Sequence, residues 1–572
     1  MGCNITIVMR GIDTMSASSK KKLRKEQSAA QITEKQQREL SEAKKLKRMT
    51  VTFVALMLVI AVAAGSILVV RGVNNSGVLE RNTIAAVIDG KELNSVQMNY
   101  YLNDYIKNMY SQWENSYGSS TALYLGLMGL DTKKPLDEQV YDPESGITWG
   151  EHFLNEALKK AKSDYALYNK ATAEGFKLTE EEEEALASNA SMMDIYAMIY
   201  GYSSTDKYLV ALYGFGSTVE TYNEYTKIST IASAYYAKYK DSLDYDMEAI
   251  REYEKDKKLD YTSFSYSVYA LNQSSFLEGG TKDDNGNTTY SDAEKAAALK
   301  KAEEIANNLA KAVDIADLDK AIAALEINKD KENAASSPYT NVLYSNIGND
   351  AVKAWLADEK RVENEMTVIP IENTSTDADG KETKTTTGYY VLVFQDRDDN
   401  LRPLANVRHL LVAFKGGKSD ANGNMTYTEA EKAAAKADAQ RLYNVWKEGA
   451  ATEETFISMV KEYSDDGSKD EGGLYEDIHR DSSFVETFLN WSIDPERKAG
   501  DHALIVSEYG YHIMFYSSDD ELTYRDYMIK EDMIAEDMDK WYNSIVDAST
   551  AKLEKTNRLN TDIVLANFSS SY

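Results

Sequence analysis

Fourteen residues recur almost unchanged in this chain of 572 residues. N-G-N-T-T-Y-S-D-A-E-K-A-A-A at Asn285–Ala298 returns as N-G-N-M-T-Y-T-E-A-E-K-A-A-A at Asn422–Ala435, identical at 11 of 14 positions with an offset of 137 residues. A period of that length is the size of a domain, far longer than a solenoid repeat. The chain must therefore fold much of its length as two copies of one unit. Each copy has an apolar strand before the repeat, Phe264–Leu271 or Val407–Val412. Each also has a closing run after it, G-Y-Y-V-L-V-F at Gly388–Phe394 or G-Y-H-I-M-F-Y at Gly510–Tyr516. The N-G-N loops read as turns capping the next helix, since their glycine spacing does not fit a calcium loop.

The copies differ where chemistry would sit. The protein has only five histidines, and two of them, His409 and His512, lie in the opening and closing strands of the second copy. A strand alternates its side chains between faces, so an imidazole in an apolar strand points into a core or into the floor of a site. A lone histidine there is more often a satisfied core residue. Two of them, with Asp466, Phe484 and Phe488 between, favour a site. The first copy has no histidine in its opening strand and Tyr390 where His512 stands.

These residues carry a resemblance. The second copy is similar to parvulin-type peptidyl-prolyl cis/trans isomerases over about 110 residues. V-R-H-L-L-V places His409 at the family's first histidine, Y-S-D-D-G-S places Asp466 at its Cys/Asp position, and Gly472-Gly473 is its double-glycine turn. Ser507 and His512 match the small hydroxyl and second histidine of the closing strand. The resemblance implies His409, Asp466, His512 and Ser507 as catalytic groups, and Phe484, Phe488 and Trp491 as the substrate-binding slot for the proline ring. It calls for no cofactor and no metal. Two departures stand out. Leu474-Tyr475-Glu476 replaces the usual Asp-Leu-Gly, and Ala413–Gly417 lacks the arginine pair of phosphate-directed members, so phosphoserine specificity is not expected. Residues 259–400 are then a degenerate, inactive parvulin-like domain and 402–518 the isomerase domain.

The remaining chain completes the expected architecture. Val51–Val70 is an uncharged apolar run of 20 residues, the length a helix needs to cross a bilayer. Eleven Lys/Arg lie between Lys20 and Arg48, which predicts a basic cytoplasmic tail over 1–48 and an uncleaved transmembrane signal anchor over 49–71. Residues 1–71 carry net +8 and the rest net −37. So acidic a body argues against nucleic acid. Cys3 is the only cysteine, so no disulfide joins two points of one chain. Met1-Gly2-Cys3 with Thr6 fits a myristoylation pattern, but so short a match is cheap and Met15 offers an alternative start.

Ile84–Leu102 reads as a strand, an Asp89-Gly90 turn and a helix. Residues 149–256 are helical, with Thr179 as one N-cap. Strand, turn and helices resemble the chaperone domain of PrsA/SurA-type extracytoplasmic foldases, here 80–258, with a C-terminal helix at 521–555 expected to pack back within the segment 519–572. Many of the 40 tyrosines fall in these helices, as core or as an adaptable cradle for unfolded chains. The predicted fold class is multidomain α+β: a single transmembrane helix, a mainly helical chaperone domain and two parvulin-like domains of antiparallel sheet and surrounding helices. The predicted protein is a membrane-anchored isomerase and chaperone of a Gram-positive-type bacterium, N-terminus in the cytoplasm and body outside. Its expected partners are unfolded or partly folded secreted polypeptides with X–Pro segments, and a second copy in a homodimer is compatible with the sequence. The rival reading is a non-catalytic holdase using parvulin folds as scaffold. A surface adhesin is a third, disfavoured by the histidine constellation and the lack of a wall-sorting motif.

Overall fold

The computed structural model describes residues 17–282, 287–376, 381–420 and 425–567. The N-G-N loops, the Met1–Thr6 pattern and Met15 lie wholly or largely outside these residues. The chain forms two compact units, one of Met1–Asp241 with Lys540–Tyr572 and one of Ser242–Asp539.

The transmembrane helix expected at 49–71 is a correction. Among the described residues no helix is long and apolar enough to cross a membrane. The run instead forms part of one continuous helix, Ala17–Asn75, whose first half is rich in charge. The fold class is multidomain α+β without that element.

In the first unit, Ile84–Ile88 is the central strand of a three-stranded sheet, flanked by Lys91–Asn94 and by Ala551–Leu553 from the far end of the chain. Asp89 and Gly90 both take positive φ in the connecting turn, a conformation that Asp tolerates and Gly takes at no steric cost. The sheet packs on helices Ser95–Tyr117, Trp149–Ala173 and Val219–Asp241 around Ile88, Leu93, Leu102, Phe153 and Tyr165. Capping boxes at Asn94, Thr148 and Thr179 start three of the unit's helices, each satisfying backbone N–H groups that the first turn leaves open. Much of the tyrosine is core. The half-buried carboxylate of Asp104 accepts the hydroxyls of Tyr213 and Tyr225 at 2.9 and 2.8 Å, and Tyr100 packs against both rings.

The second unit holds two four-stranded antiparallel sheets with one topology. In chain order the strands are Ser263–Asn272, Ser337–Leu343, Met366–Thr376 and Glu382–Asp398 in one, and Pro403–Ala413, Leu474–Ile478, His502–Val506 and Gly510–Thr523 in the other. Both run second, first, fourth, third across the sheet. Two helices cover one face of each sheet: Asp292–Leu309 and Ile315–Ala323, then Glu429–Glu448 and Glu453–Tyr463. A short helix covers the other face, Asp350–Leu356 or Glu486–Ser492. Ser291 and Thr428 cap the long helices with matching boxes.

Alternation decides which residues face which layer. In the second sheet Leu410, Val412, Ile513 and Phe515 pack under the two helices with Ala439, Trp446 and Phe456. Ala405, Val407, Met514 and Tyr516 face the other way, with Phe488 and Trp491 of the short helix. His409 and His512 share the parity of this second set. The site is thus a question about the face beneath one seven-residue helix.

Candidate active site

His409 and His512 are brought together by register. Leu411 is paired with His512 and His409 with Met514, so the histidines are diagonal neighbours on one face. They are 2% and 5% exposed, and Nδ1 of one lies 3.1 Å from Nδ1 of the other. His512 Nε2 is 2.8 Å from Ser507 Oγ, which also accepts the Tyr509 N–H at 3.1 Å. His409 Nε2 is 3.2 Å from Asp466 Oδ1, ion-pair distance without hydrogen-bond alignment.

Asp466 is held there by backbone lacing. The segment Ser464–Asp466 is stitched to the opening strand through Asp465 N–H to Leu411 O at 2.9 Å, Leu411 N–H to Ser464 Oγ at 3.2 Å and Ala413 N–H to Asp465 Oδ2 at 3.1 Å. Beyond the double glycine, His409 N–H donates to Gly473 O at 2.9 Å. Gly473 has φ +74°, and a Cβ there would stand 2.2 Å from His409 O. Only glycine lets the turn come this close to the strand.

With both imidazoles neutral, one proton arrangement fits these contacts. Asp466 is an anion, its carboxyl held far below the usual range by His409 first and then by Ser468, against the opposing effect of burial. An anion cannot donate, so the His409 Nε2 facing it carries the proton. His409 Nδ1 is then an acceptor and takes the Nδ1–H of His512, whose Nε2 accepts the Ser507 hydroxyl. Donation runs Ser507 to His512 to His409, whose Nε2 faces Asp466 at ion-pair distance. His512 is neutral, its pKa pushed down to about 4 by burial first and then by the nearby His409, with Asp466 opposing.

An aromatic wall stands over this relay. Phe488 packs edge-on to His409 at 5.2 Å and to His512 at 5.9 Å between ring centroids. Phe484 stacks on Phe488 at 4.7 Å and remains half-buried. Trp491 shares the apolar cluster, but its ring contacts are Tyr516 at 6.5 Å and the Arg497 guanidinium at 4.9 Å. Neither contact leads to a histidine. Sequence reasoning passed over Tyr475, whose hydroxyl donates to Asp466 Oδ1 at 3.0 Å and whose ring meets Phe484 edge-on at 5.1 Å.

Residues 409–517 match the family model Rotamase, described as a PPIC-type PPIase domain. The chain carries a PPIC-type peptidyl-prolyl isomerase domain. No curated protein matches the chain. Among solved structures it is similar to the PPIase domain of TbPar42 at 20% identity, over 20% of this chain and 98% of that one, with a TM-score of 0.16. PrsA from Bacillus anthracis matches at 19% identity over 26% of this chain and 59% of its own, TM-score 0.16. The SurA-like chaperones PEB4 and Cj1289 of Campylobacter jejuni are represented by a match of 11% identity over 65% of this chain and 84% of that chain, TM-score 0.14.

The first copy keeps the framework of the rotamase domain and not its polar groups. Gly388 is opposite Asn272 as Gly510 is opposite Ala413. Counting along the strands puts Tyr390 at the place of His512 and Val268 at that of His409. Both join an apolar cluster with Val352 and Leu356 of the short helix. Among the described residues, no group of three or more His, Cys, Asp or Glu could hold a metal.

Proposed function

We propose that this protein is an extracytoplasmic foldase that isomerises X–Pro bonds in unfolded or partly folded secreted polypeptides and shields them while they fold. The observation that carries the isomerase half is the buried relay from Ser507 through His512 and His409 to Asp466, roofed by Phe488. Rotation about an X–Pro bond meets a barrier of about 18–20 kcal/mol because amide resonance must be broken. Phe484 and Phe488 exclude water from the imide and hold the ring, and fixed dipoles beside it favour the twisted state. His409, His512, Asp466 and Ser507 act without a nucleophile. Lowering the barrier by about 4 kcal/mol gives on the order of a thousandfold. Lys415, in the loop after the opening strand, is paired with Asp465 at 3.2 Å, which supports indifference to phosphate at X.

The shielding half rests on exposed apolar side chains of the first unit. Leu127 is 77% and Met198 73% exposed, and Leu123, Ile195 and Ile199 are open beside them in sequence. Such surface suits non-native chains, which bind weakly per unit area because they lose chain entropy when held. The acidic body, single cysteine and basic N-terminal segment support a place outside the cytoplasm. The test is refolding of a client whose slow phase is proline isomerisation. The full chain should speed that phase catalytically, equally with phosphorylated and plain serine before proline, and should lower aggregate yield. A slow phase unchanged at stoichiometric protein, with aggregation still suppressed, would leave only a holdase.

A further inference from the structure

We propose that the Tyr475 hydroxyl is a positioning group for the isomerase: it fixes the Asp466 carboxylate in one orientation and thereby sets the direction of the Ser507–His512–His409 relay. The geometry of Asp466 makes the case. Its Oδ1 receives the Ser468 N–H at 2.9 Å, the Ser468 hydroxyl at 2.6 Å and the Tyr475 hydroxyl at 3.0 Å, and faces His409 Nε2 at 3.2 Å. Both Ser468 donors sit two residues along the same turn and would follow Asp466 wherever that turn moved. Tyr475 alone comes from a strand of the sheet, Leu474–Ile478, which pairs with the strand carrying His409. It ties the carboxylate to the same framework as the imidazole.

The hydroxyl can play only one part. Burial first, and then the Asp466 charge, raise the Tyr475 phenol above its ordinary value, so it stays protonated and donates. The other groups around it are His409 and His512 from the two central strands, Ser468 and Glu471 from the turn. Among these, Tyr475 supplies a hydrogen bond to the charged form of Asp466 from outside its own turn. Without it, the carboxylate is easier to protonate and freer to rotate, and the proton on His409 Nε2 loses its fixed acceptor. The ring is separable from this role, because its contacts with Phe484 and with His409 at 5.4 Å are made by carbon.

The inference rests on the isomerase reading for its kinetic arm only. The test uses the full chain labelled with 13C and 15N at its five histidines, as wild type and Tyr475→Phe. Nitrogen shifts report the tautomers of His409 and His512 directly. The expected result is loss of the single tautomer pattern in the variant. Peptide kcat should fall about tenfold, the scale of one hydrogen bond to a charged group, with KM changed less than twofold. The Asp466 carboxyl, 13C-labelled alongside the histidines, should begin to protonate at higher pH, since removing a donor to the anion raises its pKa. 3-Fluorotyrosine placed at 475, a stronger donor of nearly the same shape, should move that titration the opposite way, and it serves if the phenylalanine variant does not fold. Unchanged tautomers and an unchanged carboxyl titration in either variant would overturn the proposal. A wild type inactive on peptides would sink the isomerase reading, while the nitrogen shifts would still decide the role of Tyr475.

Discussion

At the scale of single residues, the site depends on an imidazole kept neutral by burial. His512 has a folded pKa of about 4, against about 6.5 in an unfolded chain. The unfolded state therefore binds the proton first as pH falls. His512 contributes its full stability above about pH 6.5 and loses it progressively down to pH 4, on the order of 3 kcal/mol in all. Hydrogen exchange of the closing strand Gly510–Tyr516 should accelerate from pH 7 to pH 5 beyond the intrinsic change, and the His512→Gln variant should lack that extra acceleration. An identical response in both proteins would mean that His512 is not the group titrating. His409 and His512 stood out in the sequence because histidine is scarce and the strands around it are apolar, whereas Asp466 and Ser507 came from the resemblance to parvulin-type isomerases. Tyr475 was not, because nothing in a run of Leu-Tyr-Glu shows that its hydroxyl crosses from one strand to a loop nine residues upstream. Trp491 came from the same resemblance, as part of the slot, and the structure gives it Tyr516 and Arg497 as neighbours.

At the scale of elements, the turn and the clasp matter more than any one strand. Gly473→Ala should cost at least 1–3 kcal/mol from its left-handed backbone alone, with a further penalty from the clash at His409 O, and should abolish isomerase activity. Gly467→Ala, a nearby turn glycine with open space around its Cβ position, should be mild. Denaturation midpoints of the two variants read the difference. The copies also share a clasp that the sequence reading missed, W-x-x-D-x-x-R at Trp355–Arg361 and Trp491–Arg497. In each, the arginine Nε donates to the tryptophan carbonyl, at 2.9 and 3.3 Å, and the guanidinium lies 4.6 or 4.9 Å from the indole centre. Arg361→Ala and Arg497→Ala should each cost about 1 kcal/mol, and Arg361→Ala should leave peptide isomerisation at the wild-type rate. The duplication is visible at an offset of 137 in the helix caps but 122 at Tyr390 and His512. The longer hairpin Met366–Asp398 of the first copy accounts for the change, and it hides the alignment from a fixed-period reading.

At the scale of the molecule, framework and chemistry are distributed unequally. Two sheets share strand order, helix cover and clasp, yet only one places imidazoles beneath its short helix. The first unit buries part of its tyrosine, around Asp104 and in the helix contacts, and exposes other tyrosines together with leucine and methionine. Sequence could count the tyrosines but not assign their faces, since helices packed on several sides show little polar stripe. Replacing Leu123, Leu127, Met198 and Ile199 together by serine should weaken suppression of client aggregation several-fold while peptide isomerisation is retained. Light scattering and a peptide assay on the same preparation check both halves. The membrane span read from 20 apolar residues is not borne by the fold: among the described residues no helix is long and apolar enough to cross a membrane, and the run lies within the one helix Ala17–Asn75.

The claim that one copy alone is the isomerase has a direct measurement. Exchange spectroscopy on an X–Pro tetrapeptide should be run with three full-length proteins: wild type, His409→Ala with His512→Ala, and Val268→Ala with Tyr390→Ala. The account predicts that the histidine pair removes at least 99% of the catalysed exchange, about 3 kcal/mol of barrier lowering, and that the first-copy pair leaves it within twofold of wild type. Catalysis that survives loss of both histidines, or that disappears with Val268 and Tyr390, would contradict it.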